Sequence, residues 1–409
     1  LFELQNYDEC ISFLNNFNTN DTQVLIEKLF IIAGAYFNKN DFVNAEKYYV
    51  ELSEKFPDSR YADDINFTLA QIYQNTNNDT KYILTQTQII RTVKEPAIVV
   101  ASEYNLANYF FYNQNYDSSI FYLNSIIAKI SNKVALEKTY KLLIKSYFYA
   151  NSFDKALDAC QVYLKTFPAK DFDRTDVIEI LAETQYKLGD YKKALANVKA
   201  LNKNTENILF KIIMCHFNNN DYQKTIENIE TYLSKFKKIE TTQLEELQLI
   251  KASCLIKLDQ KNDAIKIYTD LFSALKNEQN KIIAAKICAD FYMQKQDYAN
   301  AIKWSEELYN LEKNNKFEIT FNIAELYAKQ NDYKKSINYY KRALKETEVN
   351  TLKSKTAEKI LELALKINDN QIALEVIDLF ENKNSQEFYI IKSELLEKKK
   401  DDTATLNLL

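Results

Sequence analysis

Glycine and proline are almost absent from this chain, which has two glycines and three prolines in 409 residues. Tight β-turns and phosphate-binding loops depend on the positive φ that glycine adopts, and proline supports many of the remaining turns. So little of either residue excludes a strand-rich fold and a Gly-rich nucleotide loop. The composition therefore predicts an all-α protein.

Catalytic side chains are equally scarce. His216 is the single histidine, and neither a His-Glu-x-x-His zinc motif nor a nucleophile elbow occurs. Five cysteines lack a Cys-x-x-Cys spacing and fall at apolar helix positions, so we expect buried small side chains. We expect Trp304 to pack in the core, and Glu245 and Glu246 to be solvated on a polar helix face. The sequence predicts no catalytic site, no metal and no cofactor.

Neither charge nor hydropathy indicates nucleic acid or a bilayer. Basic residues number 53 and acidic residues 57, which gives a net charge of −4 and no basic track for phosphates. No apolar run approaches the roughly 18–20 residues of a transmembrane helix. We expect no nucleic-acid partner and no direct membrane insertion. Lysine far outnumbers arginine, a bias that we interpret as that of an AT-rich, bacterial genome.

One short turn recurs along the whole chain. It reads Asn-Asp-Phe-x-x-Ala at 40–45, and related copies follow at intervals of 31 to 39 residues if a degenerate copy around Ile83 is counted. A period in that range indicates a helical solenoid. The small residues that close the copies are Cys10, Ala45, Ser119, Ala156, Ala194, Thr225, Ala264, Ala301, Ser336 and Ala373.

Each residue of this turn has a physical role. Asn40 ends the first helix, because asparagine tolerates the left-handed conformation better than other non-glycine residues. Asp41 caps the second helix by accepting its free amide hydrogens. Phe42 fills the angle between the helices, and Ala45 lets their backbones approach closely. The pattern predicts further left-handed residues at Asn151, Gly189, Asn220, Asn331 and Asn368, and further caps at Asp190, Asp221, Asp297, Asp332 and Asp369.

The pattern resembles the tetratricopeptide repeat. The family's signature positions are matched by Ala33, Tyr36, Phe42, Ala45, Tyr49 and Pro57, although its tryptophan is absent and the copies at 76–95, 255–275 and 361–381 lack the turn aromatic. The resemblance implies an all-α fold, a right-handed α-α superhelix of about ten helix pairs. We expect a single solenoid over 1–409. It would contain a partial first repeat at 1–20, repeats over 21–232 and 233–384 with a break in regularity at 233–245, and a terminal helix at 385–400.

The resemblance also implies where partners bind. In this family the first helices of successive repeats line a concave groove, which suits an extended or helical peptide. Burial of the same rings between neighbouring repeats is the alternative. The expected partner-binding residues are Phe37, Asn38, Tyr104, Asn108, Phe111, Tyr112, Lys141, Lys145, Phe148, Tyr149 and Tyr186. The same register assigns Lys138, Glu179, Glu183, Lys187, Phe210 and Met214 to the groove.

A second, local resemblance concerns the segment 54–62, Glu-Lys-Phe-Pro-Asp-Ser-Arg-Tyr-Ala. It is similar to the linker of bacterial envelope repeat proteins of the outer-membrane assembly and Tol-Pal coordinator type. It implies a scaffold for other proteins or peptides in a large assembly, such as a flagellar, pilus or outer-membrane machine, in the periplasm or envelope. A cytoplasmic peptide-responsive regulator and the repeat arm of a larger enzyme remain alternatives. Since the chain begins inside a repeat, we expect it to be a fragment.

Overall fold

The computed structural model describes residues 1–379 and 386–399, and across them the chain is built from helices without a single strand. It divides into two compact units, Leu1–Cys215 and a second unit that begins at His216. The prediction of an all-α repeat superhelix is confirmed. The proposed division of one solenoid into repeat blocks stays a prediction.

The first unit is a series of antiparallel helix pairs, each closed by one turn. Its helices are α1 Tyr7–Asn16, α2 Thr22–Asn38, α3 Phe42–Lys55, α4 Ala62–Asn75, α5 Asp79–Thr92, α6 Pro96–Tyr112, α7 Tyr116–Lys129, α8 Lys133–Tyr149, α9 Phe153–Thr166, α10 Thr175–Lys187 and α11 Tyr191–Ala200, followed by α12 Glu206–Asn218, which crosses the boundary.

The second unit continues the same alternation. Its helices are α13 Tyr222–Lys235, α14 Thr241–Lys257, α15 Lys261–Leu271, α16 Glu278–Gln294, α17 Tyr298–Leu311, α18 Lys316–Lys329, α19 Tyr333–Lys345, α20 Asn350–Lys366, α21 Asn370–Ile377 and α22 Gln386–Lys399. The last of these corresponds to the expected terminal helix at 385–400, of which residues 385 and 400 lie outside the described residues.

A left-handed residue stands at every intra-repeat turn. In the turn at Asn40, φ is 60° and the amide of Asp41 donates to the carbonyl of Tyr36 at 2.9 Å, which closes the end of α2. The predicted positions are confirmed, and the copies without a turn aromatic keep the turn. Asn202, between α11 and α12, also has a positive φ, and the left-handed residues of the intra-repeat turns are Gln5, Asn40, Asn77, Gln114, Asn151, Gly189, Asn220, Asp259, Gln296, Asn331 and Asn368.

The degenerate copy of the turn around Ile83 is present, but the residue in the small-residue position lies one position earlier than expected. Five positions after Asn77 comes Tyr82, not Ile83, in the place of the small residue. Tyr82 is 6% exposed, and its ring centroid lies 5.4 Å from that of Tyr109. A large ring therefore takes the place of the usual small residue here, whereas Ala45 and its counterparts Ala156 and Ala194 are fully buried.

The predicted break in regularity at 233–245 falls where α13 is followed by α14, and it stays a prediction. The left-handed residues Asn220 and Asp259 are 39 positions apart, the widest spacing of the described turns. Gly189 and Asn220 bound the narrowest spacing, 31 positions. The five-residue loop between Lys235 and Thr241 lies inside the predicted segment 233–245, but it is shorter than the eight-residue loop between Thr166 and Thr175.

Most of the predicted aspartate caps form. Asp41 accepts from the amide of Asn44 at 3.2 Å, and Asp190, Asp297, Asp332 and Asp369 accept from the amide three residues ahead at the same distance. The prediction for Asp221 is wrong, because its side chain makes no cap bond. Its carboxylate bonds instead to the buried His216.

The remaining unusual side chains are packing residues, as expected. Trp304 is 6% exposed and meets Phe272 edge to face, with ring centroids 4.9 Å apart. All five cysteines are buried and unbridged. Burial raises the pKa of Cys160 and Cys288 to about 12, and that of Cys215 and Cys254 to about 11. Thiols held protonated in this way are poor nucleophiles and poor metal ligands.

Candidate partner-binding surface

In several repeats the last turn of the first helix presents a ring to the ring that begins the second helix. The centroids of Phe37 and Phe42 lie 5.9 Å apart, and those of Phe148 and Phe153 lie 5.7 Å apart. Tyr186 meets Tyr191 at 5.1 Å in the same way. These predicted groove rings are therefore half-buried by contacts within their own repeat. The sequence analysis did not assign the first aromatic residue of the second helix (Phe42, Phe153 or Tyr191) to this surface, although the turn motif marks its position.

The residues that follow Phe37, Phe111 and Phe148 are exposed. Asn38 is exposed, Tyr112 is 79% exposed and Tyr149 is 54% exposed. The two tyrosines are the last residues of α6 and α8, so they lie at the turn end of two successive helix pairs. Tyrosine is enriched among the residues that dominate binding energy at protein interfaces, so these two rings are candidate contact residues.

Six rings from these two repeats form one connected surface, which we call the aromatic edge. Phe111 lies 5.7 Å from Tyr116 and 5.9 Å from Tyr149, and Tyr116 stacks on Tyr149 with centroids 5.9 Å apart. The stack joins adjacent repeats and holds the exposed Tyr149 ring in place. The aromatic edge consists of Phe111, Tyr112, Tyr116, Phe148, Tyr149 and Phe153.

Three other predicted residues are tied to their own helices. Tyr104 is half-buried against the core cluster around Leu123. The side-chain amide of Asn108 donates to the carbonyl of Tyr104 at 2.9 Å, and that of Asn38 donates to the carbonyl of Gly34 at 2.8 Å. The structure thus places Tyr104 mainly in packing, whereas the two asparagines keep one acceptor oxygen each for other contacts.

The predicted lysines differ in their surroundings. Lys141 Nζ lies 2.8 Å from Glu137 Oε1 and 4.0 Å from Asp176 Oδ2. Partial desolvation opposes its charge, but the hydrogen bond to Glu137 and the charge of Asp176 raise the pKa of Lys141. Lys145, one turn further on, is half-buried and forms no ion pair within the described part of the chain. The lysine stripe is therefore partly neutralised by the protein itself.

Two successive first helices enclose a cleft. A cavity of about 370 Å³ lies between α10 and α12, and Tyr186 lines it. Lys211, across the cleft, donates to Glu183. The register derived from the turns places these side chains in one cleft. Its lining includes Glu183, Tyr186, Lys187, Phe210 and Met214, all of which the sequence assigned to the groove.

One expectation about surface charge is wrong. Glu246 is exposed, but Glu245 is 7% exposed and its Oε1 atom has no hydrogen-bond partner. Glu245 faces the neighbouring repeat from α14, because helical rotation of about 100° per residue separates it from Glu246. Hydropathy alone does not distinguish two adjacent glutamates.

Within 1–379 and 386–399, no group of three or more His, Cys, Asp and Glu side chains is arranged to hold a metal ion. No helix in these segments has both the length and the apolar character needed to cross a bilayer.

Comparison with known families identifies one repeat directly. A tetratricopeptide repeat model matches residues 317–350, which hold the helix pair of α18 and α19. The same left-handed turn closes the other pairs of both units. The chain is therefore an all-α repeat protein that contains a tetratricopeptide repeat. Such repeats stack into extended surfaces that bind proteins or peptides, so the fold suggests a protein–protein interaction scaffold.

Solved structures with similar folds are only distantly related. A Naa15/Naa10 complex bound to HypK-THB is 14% identical, with a TM-score of 0.42, and the match covers 94% of this chain and 64% of that one. The C-terminal part of a repeat-containing protein from Cytophaga hutchinsonii is 16% identical, with a TM-score of 0.47 and coverages of 60% and 95%. The apo form of RapI is 12% identical, with a TM-score of 0.41 and coverages of 74% and 99%.

This chain thus spans about 64% of the length of the chain it matches in the Naa15/Naa10 complex. A search of curated proteins found no match. At these identities, the similar structures assign neither a partner nor an activity to this chain.

Proposed function

We propose that this protein is a non-catalytic scaffold that docks partner proteins or peptides within a bacterial cell-envelope or motor assembly. The aromatic edge carries the proposal, because it presents two exposed tyrosines, Tyr112 and Tyr149, and Tyr149 stacks on Tyr116 of the adjacent repeat. Tyrosine is enriched among the residues that dominate binding energy at protein interfaces. A partner segment across this edge would cover both rings at once.

The location of the assembly rests on a different observation. The segment 54–62 is similar to linkers of bacterial envelope repeat proteins, and in the fold it connects α3 to α4. Its Arg60 side chain lies 2.5 Å from Glu27 Oε1 and covers the ring of Tyr61 at 4.8 Å. On this similarity we propose a periplasmic or envelope location.

Site-specific photocrosslinking in cells tests the docking proposal. A photoreactive phenylalanine analogue at position 112 is expected to capture a discrete partner band. Position 121 is the matched control, because Phe121 is 68% exposed on α7, the second helix of the same repeat. Equal capture from both positions, or none from 112, contradicts the proposal. Fractionation of the same cells tests the envelope location, and recovery only with cytoplasmic proteins contradicts that part.

A further inference from the structure

Glu245 in α14 is a buried carboxylate with an unsatisfied oxygen. The residue is 7% exposed, and its Oε1 atom accepts no hydrogen bond. Burying a charged group without a partner is unfavourable, and proteins normally pair such groups. The absence of a described hydrogen-bond donor for Glu245 Oε1 therefore needs a structural explanation.

Glu137 in α8 shows how the same position is satisfied elsewhere in the chain. It lies 14 residues before the left-handed Asn151 and is 9% exposed. Its Oε1 accepts from the Tyr163 hydroxyl at 2.9 Å and lies 2.8 Å from Lys141 Nζ. A buried glutamate at this register thus has a hydroxyl donor and a cation one helical turn away.

Both of these partners are missing at Glu245. It also lies 14 residues before a left-handed residue, Asp259. The position equivalent to that of the lysine is held by Leu249, and the position of the tyrosine by Leu271. This repeat therefore has the buried glutamate, but a leucine stands where the lysine would be.

Glu245 opens onto a cleft that a side chain can enter. A cavity of about 370 Å³ lies between α14 and α16, the first helices of successive repeats. Its Lys276 side chain forms no ion pair with Glu245 within the described residues. The rest of the lining combines the apolar Leu249 and Ile250 with the polar side chains of Thr242, Glu246, Ser253, Asn277 and Asn280.

We propose that Glu245 binds a cationic side chain of a polypeptide that lies in the cleft between α14 and α16. The incoming cation takes the role that Lys141 has beside Glu137. A guanidinium suits the cleft best, because its planar fork can donate to a carboxylate and to neighbouring side-chain oxygens together. The inference rests on the proposed polypeptide-binding function, but it uses residues of the second unit only.

Titration of N-acetyl-argininamide into the whole chain, followed by ligand-observed NMR, tests the site. N-acetyl-citrullinamide is the neutral probe of nearly the same shape. We expect saturable binding of the arginine probe, and binding at least tenfold weaker for the citrulline probe. Glu245→Gln is expected to weaken the arginine probe by the same factor. Glu137→Gln is the matched control, with a change below twofold, because its carboxylate is already paired.

A second variant leaves Glu245 unchanged and adds a lysine to the same helix as its partner. Leu249→Lys places an ammonium group where Lys141 stands beside Glu137, so we expect it to abolish binding of the arginine probe. Equal affinity of the wild type and Glu245→Gln overturns the proposal, as does equal affinity for the two probes or no saturable binding. Tyr112→Ser/Tyr149→Ser should leave probe binding unchanged, so failure of this site and failure of the aromatic edge are distinguishable.

Discussion

His216 Nδ1 lies 3.1 Å from Oδ2 of Asp221, across the turn between α12 and α13. The histidine is 2% exposed, at a position where Tyr36 and Tyr327 stand in other repeats. Its neighbour gives up the cap bond that aspartates form at five other described turns. His216 is therefore a buried packing residue whose Nδ1 atom is hydrogen-bonded to Asp221.

Because Asp221 bonds to His216 and not to a backbone amide, alanine variants at the helix caps of the second unit should differ in their free energy of unfolding. Asp297→Ala removes a cap bond and should lower the free energy of unfolding by about 1 kcal/mol. Asp221→Ala should lower it further, because a buried ring nitrogen loses its partner. Gln260→Ala is the control, since Gln260 precedes α15 without a side-chain cap bond. Urea unfolding measures the order, and equal midpoints for the three variants contradict it.

The left-handed turns predict a contrast between two asparagines in the first unit. Asn40 has a φ of 60°, so Asn40→Ala should cost roughly 1–2 kcal/mol, whereas Asn40→Gly should be nearly neutral. Asn38→Ala is the matched control, because Asn38 is the exposed last residue of α2, has no positive φ, and alanine favours helix. Thermal melting of the three variants checks the contrast. Similar losses for alanine at 38 and 40 would show that the turn does not require the left-handed conformation.

The backbone turns were predictable from the sequence because they depend on local chemistry. An asparagine followed by an aspartate specifies where one helix ends and the next begins, as at Asn331 and Asp332. The exceptions depend on tertiary contacts. Tyr82 fills a small-residue position beside Tyr109, and Asp221 turns to a buried histidine.

The candidate sites were predictable only in part, for the same reason. Helical register placed Tyr186 and Tyr112 at the correct ends of their helices, but it gave no measure of their exposure. One ring lines a cleft and the other is largely exposed. The burial of Glu245 depends on the neighbouring repeat, and no local pattern reports it.

The buried thiols predict the sign of a pH effect. Burial raises the pKa of Cys288 from 9.0 to about 12, so above pH 9 the unfolded chain releases a proton that the folded chain keeps. The unfolded state then binds fewer protons, and stability falls as pH rises from 9 toward 12, by at most about 1.4 kcal/mol per pH unit for one thiol. The variant Cys288→Ala lacks this effect.

Urea unfolding of the wild type and Cys288→Ala at pH 7, 9 and 10.5 measures it. The advantage of the wild type over the variant should shrink as the pH rises. An advantage that stays constant or grows contradicts the raised pKa.

The aromatic edge is tested most cleanly through its exposed members. Phe111 and Phe148 are half-buried against rings of the turns, so their removal would disturb the fold as well as the surface. Tyr112 and Tyr149 present most or about half of their area to solvent. Phe121→Ser removes a comparable exposed ring from the second helix of the same repeat and is the matched control.

The decisive measurement is the affinity of the partner captured at position 112 for three proteins: wild type, Tyr112→Ser/Tyr149→Ser and Phe121→Ser. We predict that the double substitution weakens binding at least tenfold, because two aromatic anchors are lost, while Phe121→Ser stays within twofold of wild type. An unchanged affinity of the folded double variant would contradict a docking role for the aromatic edge.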